Sequence, residues 1–152
     1  NAGLLRFADT PFGSFDTYQG LADNYVRTVL EQPDGSVLIG SSGGLDRWQA
    51  GRITPVARGI GGIGPEAVLS LANGRDGIVW VGMYSRGLYR LRDGAVVDHL
   101  DAADGMTGPQ VRAVVETRDG HLWVGTSSGL FERRPDGTLR RYDAENGLPR
   151  DF

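Results

Sequence analysis

An all-β fold, a segment of a β-propeller built from four-stranded antiparallel blades, is predicted by three observations. The chain repeats itself with a period of 42 to 43 residues, turn dipeptides punctuate each repeat, and the segments between turns are rich in Val, Thr, Trp and Tyr. Asp-Gly stands at 34–35, 76–77 and 119–120. The Gly closing the apolar run that follows is Gly40, Gly82 and Gly125, and a Gly-Leu pair comes next at 44–45, 87–88 and 129–130. A helical repeat of similar length is excluded, because breaks about every ten residues leave no room for a helix of three turns.

The third unit serves as template. Its first strand is predicted over 111–116 and is followed by a turn at Asp119-Gly120, a pair that tolerates positive φ. The second strand covers 122–125 and the third 130–133. A turn at Asp136-Gly137 leads to the fourth, over 138–142. Four short strands in about 42 residues make one propeller blade.

The blades are expected at 20–61, 62–104 and 105–146, preceded by the second half of a blade at 1–19 and followed by the start of another at 147–152. For the half blade, Gly3-Leu4-Leu5-Arg6-Phe7 repeats Gly87-Leu88-Tyr89-Arg90-Leu91, and Phe15-Asp16-Thr17-Tyr18 aligns with Leu139-Arg140-Arg141-Tyr142. At the other end, Gly147-Leu148-Pro149-Arg150-Asp151-Phe152 repeats Gly20-Leu21-Ala22-Asp23-Asn24-Tyr25. About three and a half blades do not close a ring, since a blade buries its faces only against neighbours. The expected partners are therefore the remaining blades of the same propeller or a second copy of the chain.

Composition narrows the chemistry. The 152 residues carry a formal net charge of −3, and no basic run exceeds the pairs Arg133-Arg134 and Arg140-Arg141, so nucleic acid is not an expected partner. All 16 cationic residues are Arg, which removes lysine chemistry; with no Cys, thiolate nucleophiles and Cys-based zinc sites go too. No apolar run is long enough for membrane insertion, and Asn1-Ala2-Gly3 has no signal-peptide character.

Gly20-Leu21-Ala22-Asp23-Asn24-Tyr25-Val26, Gly120-His121-Leu122-Trp123-Val124-Gly125-Thr126 and Gly87-Leu88-Tyr89-Arg90 together resemble the two-component regulator propeller repeat. The resemblance covers nearly the whole chain. It implies a sensor: the periplasmic input region of a membrane-bound hybrid histidine kinase or diguanylate cyclase, with the output enzyme elsewhere. It also implies a periplasmic location. Two departures stand out. Leu38 occupies the position of Trp80 and Trp123, and Pro65 and Pro109 are assigned to the position of Asn24.

Within this frame, Trp80 and Trp123 are read as packing between blades, and Gly40, Gly82 and Gly125 as places of close backbone approach. Gly59-Ile60-Gly61-Gly62-Ile63-Gly64 has dinucleotide-binding spacing, but Pro65 and a strand follow it where a phosphate-binding helix would be needed, so no cofactor is expected. His99 and His121 lack a second ligand at metal spacing, and no metal is expected. Neither is expected beside a paired carboxylate. The Asp-rich stretch 101–105 reads as a solvated connection.

Tight turns join strands one to two and three to four, so the longer connections gather on the opposite face, where binding residues have freedom to vary. Tyr84 and Arg86 stand there in place of the small residues of the other repeats, which makes them candidate contacts for a small-molecule or carbohydrate ligand. Asn24, Arg27 and Arg112 are further candidates. Arg27 and Arg112 fall on first strands, which line a propeller's central channel, although shared strand parity also allows each to pair with Glu31 or Glu116. A propeller lyase or hydrolase and a structural interaction scaffold are the alternative functions.

Overall fold

The computed structural model describes residues 3–6 and 13–149. Three four-stranded antiparallel blades follow one another in chain order. The first comprises β3 (Val26–Glu31), β4 (Val37–Ser41), β5 (Gly44–Gln49) and β6 (Arg52–Pro55). The second comprises β7 (Val68–Asn73), β8 (Ile78–Met83), β9 (Leu88–Arg92) and β10 (Ala95–Leu100). The third comprises β11 (Val111–Glu116), β12 (Leu122–Thr126), β13 (Gly129–Arg133) and β14 (Leu139–Tyr142). Ahead of them, β1 (Leu4–Arg6) and β2 (Gly13–Phe15) pair as a half blade. Phe7, matched to Leu91 above, and Arg150–Phe152, assigned to a following blade, lie outside the described residues.

Each blade is a meander in which every strand pairs only with its sequence neighbours. Hairpin chemistry enforces this. Ala50-Gly51 and Asp93-Gly94 take positive φ at both residues (49° and 81°, 51° and 77°), the two-residue turn whose twist matches the flanking strands. The first strands β3, β7 and β11 lie side by side along the inner edge.

The core lies between blades. Leu38, Leu45, Val68, Val81, Met83 and Leu91 join the first blade to the second. Ile78, Trp80, Leu88, Val111, Val124 and Phe131 join the second to the third. Ile39 and Ile53 meet Leu4 and Phe15 of the half blade. Burying each of these side chains contributes roughly 1.5 to 3 kcal/mol, so every blade depends on its neighbours.

Two of the three repeat glycines sit where the next blade approaches closely. A Cβ on Gly40 would come within 2.6 Å of Val68 Cγ1, and one on Gly82 within 2.6 Å of Val111 Cγ1. At Gly125 the nearest atom is Ala113 Cβ of the same blade, at 3.5 Å. Trp80 is buried against the third blade, whereas Trp123, at the same position, is half-buried and stacks on Tyr142 with ring centroids 5.7 Å apart.

Two local readings are corrected by the register. Phe15 pairs with Leu4 as Leu100 pairs with Leu88 and Tyr142 with Leu130, so Phe15 corresponds to Tyr142 rather than Leu139. The cause is Asp16, which caps a 3-10 turn over Thr17–Gln19 by accepting from the Tyr18 N–H at 2.8 Å and so ends the strand. Asp101 caps Ala102–Asp104 in the same way, and the stretch 101–105 is a largely exposed connection, as expected. The second correction concerns Pro65. The carbonyls of Tyr25, Ala67 and Gln110 accept from Ser42, Tyr84 and Ser127 respectively, so the residue at the Asn24 position in the second blade is Glu66.

The first blade differs in one buried feature. Asp46 stands where the other blades have Tyr89 and Phe131, fully buried, accepting from the Ala22 N–H at 2.7 Å and from Arg58 at 3.1 Å. Burial pushes its carboxyl above the ordinary value, against the opposing pull of those two donors. It ties the connections on either side of the blade together.

Candidate functional site

Every first strand carries a β-bulge at one repeat position. The register slips between Val26 and Thr28, between Val68 and Ser70, and between Val111 and Ala113, leaving Arg27, Leu69 and Arg112 as the extra residues. A bulge bends its strand and re-aims the side chain it carries. Here it brings the two arginines, contributed by the first and third blades, into one groove of about 340 Å³ with Tyr25, Val26 and Leu69.

The expected pairing of Arg27 with Glu31, and of Arg112 with Glu116, does not form, because the bulge breaks the strand parity on which it rested. Arg27 instead donates to Ser42 Oγ at 3.3 Å, with its guanidinium 4.6 Å over the Tyr25 ring. Arg112 donates to Gln110 Oε1 at 2.6 Å. Among the described residues neither makes an ion pair, and the groove lining contains no carboxylate. Two exposed guanidinium groups beside an exposed aromatic ring suit a ligand that carries an anionic group next to an apolar or sugar face.

The other candidates lie on the same long-loop face. Tyr84 is 48% exposed, and its N–H is held by the Ala67 carbonyl at 2.9 Å, in the repeat position where Ser42 contacts Arg27. Arg86 is engaged in the loop itself: it donates to the Ile63 carbonyl at 3.3 Å and lies 3.8 Å from Glu66. Glu66 also accepts from the N–H and hydroxyl of Ser85. Asn24 is engaged too, accepting from the Thr17 N–H at 2.9 Å and bracing the connection before the first blade. The glycine-rich stretch 59–64 forms a turn closed by Gly62 N–H to Gly59 carbonyl, with no helix after it.

Sequence reasoning missed Glu66; a register that equates it with Asn24 would have found it. The reading that no histidine stands beside a carboxylate is also overturned. His121 Nδ1 is 2.7 Å from Glu132 Oε1, and Glu132 accepts from the Tyr142 hydroxyl at 2.8 Å. The Tyr142 and His121 hydrogen bonds hold the Glu132 carboxyl below the ordinary value. This pair joins the turn before β12 to β13, away from the groove. His99 stacks on Tyr89 at 4.2 Å beside a second cavity of about 540 Å³ that also involves Arg86 and Met106.

Residues 105–128 match the model of the two component regulator propeller family. The structure resembles the extracellular domain described as that of a hybrid two component system, BT3049, from B. thetaiotaomicron. The TM-score is 0.75 at 18% identity, covering 95% of this chain and 20% of that one. The corresponding domain of BT4673 from the same organism gives 0.72 at 15% identity, with 84% and 20% covered. A streptogramin B lyase gives 0.57 at 20% identity, with 84% and 43% covered. These are likenesses of fold, and the chain spans about a fifth of the length of the sensor domains it matches. No curated protein matches it in sequence.

Proposed function

Because the chain carries the two component regulator propeller repeat, we propose that it is a ligand-sensing segment of the extracytoplasmic input region of a two-component-type signalling protein. Catalysis of the output reaction belongs to a histidine kinase or diguanylate cyclase part outside this segment. The observation that carries the reading is the bulge-positioned pair Arg27 and Arg112 at the mouth of one groove. The ligand is a small molecule or carbohydrate bearing a carboxylate or similar group, with Tyr25 and Tyr84 offering ring faces.

Isothermal titration with a uronic-acid disaccharide and its neutral analogue tests this. A charge-assisted hydrogen bond contributes about 1.5 to 3 kcal/mol, so Arg27→Ala with Arg112→Ala should weaken the acidic sugar by more than about tenfold and leave the neutral one unchanged. Equal binding by the variant and the unaltered chain would remove the groove from consideration.

A propeller enzyme is the second reading, favoured by His121 beside Glu132 and by the lyase of similar fold. The pair lies on the outward face of the third blade, the face that a following blade would cover. His121→Ala should therefore leave ligand binding at the groove unaltered.

A further inference from the structure

A different cleft, between the second and third blades on the tight-turn face, holds a concentration of positive charge that the repeat does not require. It encloses about 200 Å³ and is lined by Arg75, Arg90, Arg133 and Arg134 against the carboxylates of Asp76 and Glu116. The surplus of two positive charges sits in a protein of net charge −3.

The four arginines are not equivalent. Arg75 lies at the rim, half-exposed, and is held by Glu116 at 3.0 Å; the same Glu116 accepts from Trp80 Nε1 at 2.8 Å. Arg134 leans to within 3.6 Å of Glu132 on the outward side of its blade. Arg90 lies 5.8 Å over the Trp80 ring, and its buried Nε has no hydrogen-bond partner among the described residues. Arg133 makes no side-chain hydrogen bond or ion pair among the described residues. The cleft therefore presents two uncommitted guanidinium groups on facing blades, with a Glu116-anchored third at the edge.

The preceding cleft, between the first and second blades, is the internal control. Arg47 there occupies the position of Arg90, and its Nε is likewise unpartnered. The counterparts of Arg75 and Arg133, however, are Pro33 and Leu91, and Asp34 feels the charge of Arg47. The fold accepts an imino acid and an aliphatic side chain where the second cleft has two guanidinium groups. Packing consequently does not explain Arg75 and Arg133.

We propose that this cleft binds an oxyanion, a phosphate or sulfate group either free or carried on a larger molecule, clamped between Arg90 and Arg133 with Arg75 closing the rim. Planar guanidinium forks match tetrahedral oxyanions bidentately, and a cleft walled by Trp80 and Leu122 screens the charge less than open water does. An anion there would bridge the second and third blades and hold them together. The site is separate from the Arg27 and Arg112 groove and does not depend on it.

The test is a thermal-shift and calorimetric titration of the purified chain with sodium phosphate, sodium sulfate and, at matched ionic strength, sodium chloride. Phosphate or sulfate should raise the melting temperature where chloride does not. Arg133→Leu installs the residue the preceding blade carries at this position, so the blade should still fold, and circular dichroism checks that. It should weaken the oxyanion at least tenfold. A sulfated or phosphorylated monosaccharide binding more tightly than the free ion would identify a carried group as the source; equal affinity would identify the free ion. Identical responses to all three salts, or an unchanged titration in Arg133→Leu, would overturn the proposal.

Discussion

Gly82 and Gly125 occupy one repeat position and differ in what stands behind them. A methyl group on Gly82 would lie 2.6 Å from Val111 Cγ1 and closer still to Ser70 Oγ; on Gly125 it would meet only Ala113, at 3.5 Å. Gly82→Ala should destabilise the chain by about 1 to 3 kcal/mol through overpacking, while Gly125→Ala should change its denaturant midpoint little. Chemical denaturation of both variants checks the contrast. Glu116 supplies a second residue-scale prediction. Burial raises its pKa, but hydrogen bonds from Trp80 and Arg75 outweigh that and leave it below the ordinary value of 4.5. A depressed carboxylate contributes stability that is present above the unfolded pKa and lost as pH falls through the folded one. Trp80→Phe removes a donor, so its melting temperature should fall less on acidification from about pH 6 to about pH 3 than that of the unaltered chain. The tryptophan was legible in the sequence as blade packing, but its tie to Glu116, 36 positions away, was not.

At the scale of elements, the strands were legible to within a residue or so because turn dipeptides and alternation are local signals. Bulges and caps were less so. Nothing in Val26-Arg27-Thr28 announces that one residue will be left out of the ladder, since that depends on the partner strand. The capped turns could have been found: Asp16, Asp101 and Asp143 each stand four residues before a glycine, and each accepts from a backbone N–H two residues on. Their repetition was hidden by aligning Phe15 three positions too early. Asp101→Ala should lower stability by about 0.5 to 2 kcal/mol, the usual range for a lost cap, and should do so without altering ligand titrations at the groove.

At the scale of the whole molecule, each blade's stability is shared with its neighbours, and the outward face of the third blade carries Trp123, Leu130 and Tyr142 only partly buried. We expect this face to take a further blade of the same propeller or, in the isolated chain, a second copy. Sedimentation should show concentration-dependent association that Trp123→Glu abolishes; a monomer at high concentration would refute that expectation. The sequence by itself determined the all-β class, the 42 to 43 residue period and the blade count, because these rest on short-range turn chemistry and repetition. Tertiary structure alone decided which charged residues meet. Arg27 and Arg112 lie 85 positions apart, and Arg133 belongs to a different blade from Arg75 and Arg90. Their encounters follow from a bulge that redirects a side chain and from the packing of one blade on the next, neither of which leaves a local mark in the chain.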